Sequence, residues 1–164
     1  MTTTNDISAI LAQAQQSLLV LEQTLRDEAQ ELVAHTRNPQ AISAIAQRKQ
    51  QLVVGINELV RTGDRWLLSQ GLAVGREGVE AWLQRCPATH PSRQVWQSIM
   101  DLSARCKLMN ETNGVKIGLL SRRSQEALGV LFQGLGVNEG YGPDTYGPKG
   151  IGRISSPFQT SYKA

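Results

Sequence analysis

LAQAQQSLLVLEQTLRDEAQEL, running from Leu11 to Leu32, is the stretch whose reading decides the fold. Leu11, Ala14, Leu18, Leu21, Leu25, Glu28 and Leu32 recur at intervals of 3, 4, 3, 4, 3 and 4 residues, so one helix carries one long seam that must be buried. The rhythm ends near Thr36. Asn38-Pro39 then reads as a helix start, because an asparagine side chain accepts from free backbone donors and proline at the first helical position forfeits no hydrogen bond. A second seam follows at Ile42, Ile45, Lys49, Leu52, Ile56 and Leu59. So short a connection predicts two antiparallel neighbours.

Glu28 and Lys49 are the only charges on these seams, each about ten residues from the turn on opposite arms. Either they meet across the interface and fix its register, or both reach out to water along their own apolar stems.

The second seam frays after Leu59 on this reading, since Gly63, Gly71, Gly75 and Gly78 crowd the segment that follows. A short helix from about Arg76 to Arg85 carries Val79, Trp82 and Leu83, and Pro87 and Pro91 close it. Ser92 starts a third long helix, with Val95, Ile99, Leu102, Cys106, Met109 and Asn113 at spacings of 4, 3, 4, 3 and 4, running to about Gln133. Asn110, Glu111, Thr112, Asn113 and Gly114 interrupt its apolar pattern, a local loss of stability that some packing or partner must offset. Gly114 and Gly118 stand four apart, the spacing of a locally thinned helix crossing.

About 42 residues make this helix roughly 60 Å long, against roughly 45 Å for either of the first two, so part of it must overhang. Its later portion stays apolar at Ile117, Leu120, Leu128, Leu131 and Leu135, with Phe132 beside them and only Ser124 interrupting. That stripe is either a groove for a foreign helix or a surface covered by the short helix around Trp82.

Composition agrees with a helical chain. Of 164 residues only 5% are aromatic, and the helix formers Leu, Gln, Ala and Arg are abundant. The predicted architecture is all-α: an antiparallel bundle of three long helices plus one short helix, with coiled-coil-like seams, over residues 1–133. Residues 134–164 form a flexible tail on this reading, because glycine and proline supply ten of these 31 positions and periodicity vanishes. Tyr141-Gly142-Pro143 is echoed there by Tyr146-Gly147-Pro148. The tyrosines are either recognition points for a partner that orders the tail or incidental to a turn-rich end.

Several function classes are disfavoured. A net charge of +3, with Arg122-Arg123 its densest pair, gathers too few cations to hold nucleic acid. Met1 to Asp6 lacks the features of a secretory signal, and no run approaches a membrane span, so a cytoplasmic protein without membrane insertion is expected. Cys86 and Cys106 form no CxxC pair, which argues against a zinc site or a disulfide framework, and each reads as a small core hydrophobe. His35 and His90 belong to no nucleophile or metal arrangement, and no phosphate-cradling glycine motif is present. No catalytic residue, metal or cofactor is expected.

Taken in order, a hairpin with a seam Glu28 and a seam Lys49, the Asn110-x-x-Asn113-Gly114 motif on a later long helix, an apolar continuation through Ala127, Leu128 and Leu131, and Tyr146-Gly-Pro-Lys-Gly150 resemble the FlgN family. The resemblance implies a cytoplasmic chaperone of the flagellar type III export apparatus. Such a chaperone binds the hook-filament junction proteins, of the FlgK and FlgL type, prevents their premature self-association and passes them to an export-gate component. It further implies that Asn110, Asn113 and Gly114 shape the third long helix, that Ile117, Leu120, Leu128, Leu131 and Phe132 hold the client, and that Tyr146 with Gly147 and Pro148 contacts the gate. Tyr141 is the second candidate for that contact, and Tyr146 matches better because Gly150 follows it. The alternative from the seams alone is a structural or regulatory adaptor that homodimerises through them.

Overall fold

The computed structural model describes residues 6–134, with side chains as far as Leu131. Four helices follow in order, α1 (Ile7–Val33), α2 (Pro39–Ser69), α3 (Gly75–Arg85) and α4 (Ser92–Gly134), and no strand occurs among the described residues. The protein is all-α, as its periodicity predicts.

Local chemistry sets the helix starts. Asp6 accepts from the Ser8 amide at 3.3 Å at the head of α1, and Asn38 accepts from the amides of Gln40 and Ala41 at the head of α2, with Pro39 as its first residue.

Helix α1 is the centre of the molecule. It lies along both α2 and α4, and it accordingly buries eleven residues where α2 buries three. Leu18, Leu21 and Leu25 from α1 meet Ile99, Leu102 and Cys106 from α4 in one continuous core, which Ile56 and Leu67 close from the α2 side. Gly63 of α2 lies beside Ile7 and Ile10 while Lys49 reaches Glu28, so α2 runs antiparallel to α1. Helix α4 runs parallel to α1, since the Cys106 thiol points to the Leu18 carbonyl and Asn113 to the Leu25 carbonyl.

The structure departs from the sequence reading in the middle of the chain. Helix α2 does not fray after Leu59 but continues for ten further residues to Ser69. The reason is tertiary: Gly63 is buried where α2 crosses the start of α1, and a Cβ there would already touch Ile7 at 3.5 Å. Packing thus offsets the propensity cost of a mid-helix glycine. Helix α2 instead stops at Gly71, whose φ of 66° is open to glycine without strain. There the Gly71 amide donates to the Leu68 carbonyl and the Leu72 amide to the Leu67 carbonyl, both at 3.0 Å, which satisfies the last turn.

Two long-range caps hold α3 in place. Asp64, eleven residues upstream in α2, accepts from the Gly75 amide at 2.8 Å and supplies the negative charge that the start of α3 favours. Arg93, from the first turn of α4, donates to the carbonyls of Leu83, Cys86 and Pro87 at its other end. Gly78 admits no side chain, since a Cβ would fall 1.7 Å from the Ala73 carbonyl oxygen.

Helix α3 packs on α2 at the pole opposite the α1–α2 turn. Trp82 there stands edge-on to Trp66 at 6.1 Å and to His90 at 5.6 Å. It does not fold over the far end of α4, which removes the reading in which the Trp82 helix covers that stripe. The Gly114 and Gly118 pair does not act as a crossing step either: Gly114 is buried, but nothing lies within 4 Å of a Cβ on Gly118.

Candidate functional site

Both the Leu18–Cys106 and Leu25–Asn113 contacts join residues 88 apart, so α1 and α4 run side by side at a fixed offset. At that offset Val33, the last residue of α1, falls level with Ser121. Helix α4 nevertheless continues to Gly134, and the stretch beyond Ser121 is about 20 Å of helix with no α1 beside it. Burial marks the same boundary, because every residue from Arg122 to Leu131 is exposed.

Apolar side chains populate this overhang. Leu128 is 41% exposed, Leu131 61% and Val130 70%. Of the residues singled out by sequence, Ile117 and Leu120 are half-buried at the rim of the bundle, Leu120 level with Leu32, while Leu128 and Leu131 stand free of it. The Phe132 side chain lies outside the described residues, as do Tyr141, Tyr146, Gly147 and Pro148 and the whole of the expected tail after Gly134.

The sequence reading missed a second apolar line on α4. Leu108, Val115 and Leu119 are about half or more exposed on the side of the helix away from α1, spaced 7 and 4 residues apart, and Val130 joins them farther along. Their spacing is a helical repeat, but the stronger repeat of the core seam hid it. Lys116, Arg122 and Arg123 outnumber Glu126 among the flanking charges.

At the base of the overhang lies a buried polar node that ties three helices together. Glu28 of α1, 4% exposed, accepts from Lys49 of α2 on one carboxylate oxygen at 2.7 Å and from Asn113 of α4 on the other at 2.9 Å. The Asn113 amide also donates to the Leu25 carbonyl at 2.9 Å. Glu28 and Lys49 therefore meet, and the Lys49 side chain stays partly open to water. Asn110 and Gly114 are buried on the same stretch, and α4 passes through the polar interruption without a break. Asn113 thus faces α1, and Asn110 is buried, so neither amide stands open to a foreign partner.

A second carboxylate, unremarked in the sequence, sits nearly two turns earlier on α1. Glu22 accepts from Arg105 of α4 at 2.7 Å and lies 3.2 Å from Arg26. The hydrogen bond from Arg105, reinforced by the charges of Arg105 and Arg26 against the cost of burial, holds its carboxyl below the usual carboxylate range. Next to it Cys106 is buried, and burial pushes its thiol up to about 11, so it behaves as a core hydrophobe.

Among the described residues no three His, Cys, Asp or Glu side chains converge as a metal site would require, and no helix is long and apolar enough to cross a membrane. The arrangement is an exposed, partly apolar helix end that projects from a packed core.

The profile of the family described as FlgN protein matches residues 1–150. No curated protein and no solved structure matches the chain. Members of this family are flagellar export chaperones and not enzymes. With nearly the whole chain matched by that profile, the protein belongs to the FlgN family.

Proposed function

We propose that this protein is a cytoplasmic chaperone of the flagellar type III export system, which binds hook-filament junction proteins along the overhang of α4, prevents their premature self-association and delivers them to the export gate. The observation that carries this reading is the run of exposed helix from Arg122 to Leu131, apolar at Leu128, Val130 and Leu131 and beyond the reach of α1. Covering a wholly exposed side chain of this kind contributes about 1.5–3 kcal/mol; these have part of that surface left to cover, and an amphipathic client helix can cover several at once. Association costs consume part of that gain, so the client must also find the half-buried rim at Ile117 and Leu120. Lys116, Arg122 and Arg123 favour a client segment with acidic flanks. Residues 1–133 supply the binding body in this reading and residues 134–164 the tail, where Tyr146 with Gly147 and Pro148, echoed by Tyr141, contacts the gate.

The test is the double variant Leu128→Asp/Leu131→Asp, titrated against a purified hook-filament junction protein. Affinity falls at least about 100-fold, because two charges must then be buried or the contact forgone. Helicity and melting temperature stay at the wild-type values, and a collapse of the fold instead would make the stripe part of the core. Tyr146→Ala in the same assay leaves client affinity unchanged and reduces export in cells.

A further inference from the structure

We propose that the Glu28–Lys49–Asn113 node is a register lock: it fixes how far α4 slides along α1, and thereby how much of α4 projects beyond the bundle.

The apolar seams cannot do this alone. The α4 seam at Val95, Ile99, Leu102, Cys106 and Met109 and the α1 seam at Leu11, Ala14, Leu18, Leu21 and Leu25 repeat at the same 3- and 4-residue intervals. Sliding one helix past the other by a turn therefore sets aliphatic side chains against aliphatic side chains again, with little change in buried area. Hydrogen bonds have no such periodicity. At the observed offset the Asn113 amide meets both the Leu25 carbonyl and the free oxygen of Glu28. A four-residue slide in either direction brings Met109 or Ile117 to the place of Asn113, which leaves a buried carboxylate oxygen without its donor and a buried carboxamide against aliphatic carbon. Lys49 binds the same carboxylate from the other side, so α2, α1 and α4 are indexed to one atom group.

The position of the lock matters because the overhang is set by it. A slide of α4 toward its own start by one turn draws Arg122 to Gln125 alongside α1, and the opposite slide strips cover from Ile117 and Leu120. Two contacts compete with the lock as causes of register: the Glu22–Arg105 pair between the same two helices, and the α3–α4 connection, which Arg93 clamps through Leu83, Cys86 and Pro87. The consequence for client capture rests on the proposed function, but the register itself does not.

Spin labels at Gln13 of α1 and Arg123 of α4, both exposed, lie about 33 Å apart along the bundle axis, a separation that changes by about 6 Å for a four-residue slide. Cys86→Ser removes the half-buried thiol, and Cys106 is retained because it is buried. Wild type shows one narrow distance. Glu28→Leu/Lys49→Leu/Asn113→Leu, which replaces the node by aliphatic side chains and so should remain folded, shows a second population displaced by a whole turn. Asn113→Leu alone, which leaves Glu28 paired with Lys49, shows the same displacement in a smaller share of molecules and covers the case in which the triple variant fails to fold. Affinity for a hook-filament junction protein falls about tenfold in the displaced variants. A single wild-type distance in both variants overturns the proposal and gives the register to the Glu22–Arg105 pair and the Arg93 clamp. A displaced distance with unchanged client affinity upholds the lock and sinks the overhang as the client site.

Discussion

Helix α4 is one continuous helix with two different fates. From Ser92 to Ser121 its seam is covered by α1, and Ile99, Leu102 and Cys106 are sealed within the core. From Arg122 to Leu131 the same kind of side chain, at the same helical spacing, faces water. Apolar patterning therefore identifies a face that wants cover without saying who provides it. What decides is length: α1 has 27 residues and α4 has 43, and the offset between them is fixed, so the surplus falls at one end.

The largest expected effect comes from matched truncations on the two halves. Ile99→Ala costs about 2–5 kcal/mol of stability in chemical denaturation, because it opens a cavity in a sealed core, whereas Leu131→Ala changes stability by less than about 0.5 kcal/mol. Equal losses in the two variants would erase the division.

The boundary between the halves is probed next. Lys49→Met leaves one oxygen of a buried Glu28 without a partner and costs about 2–3 kcal/mol, below the 3–5 typical of a fully enclosed pair because Lys49 is partly in water. Such a loss lowers the melting temperature by several degrees. An unchanged melting temperature would show that water replaces the lysine freely.

The smallest effect is a pH dependence confined to the covered half. Glu22 has its carboxyl held below the usual carboxylate range, chiefly by the Arg105 hydrogen bond. Its contribution is therefore complete above the unfolded value and fades as pH falls through the lower folded value. Arg105→Gln lets the carboxyl rise. At neutral pH this variant melts below wild type, and the two curves converge in acid. A gap that persists once Glu22 is protonated in both would assign the effect to lost packing of the arginine.

Much of this architecture is legible in the chain because it rests on short-range signals. The α1 seam, the Asn38-Pro39 start and the reach of α4 follow from spacing and capping chemistry within a few residues. Even the meeting of Glu28 with Lys49 is readable, since a tight turn makes distance from the turn a coordinate. Contacts without such a coordinate are not. Asn113 stands 85 residues from Glu28, Arg105 stands 83 from Glu22, and no periodicity links them. Gly63 misleads for a related reason, as its fitness for a helix comes from Ile7 and Ile10 at the far end of the chain. The candidate site is legible at Leu128 and Leu131, which stand clear of the bundle, and less so at Ile117 and Leu120, which the end of α1 half covers.

Parallel alignment of α1 with α4 also has a practical reach. The head of α1 and the tip of α4 occupy opposite poles, because the 27 residues of α1 alone span about 40 Å and α4 extends past them. A bead, dye or fusion partner attached before Ile7 therefore hangs at the tryptophan pole and leaves the projecting arm unencumbered. The same cargo joined after Gly134 crowds the arm itself, so the choice of end decides whether an immobilised sample can be trusted to report binding.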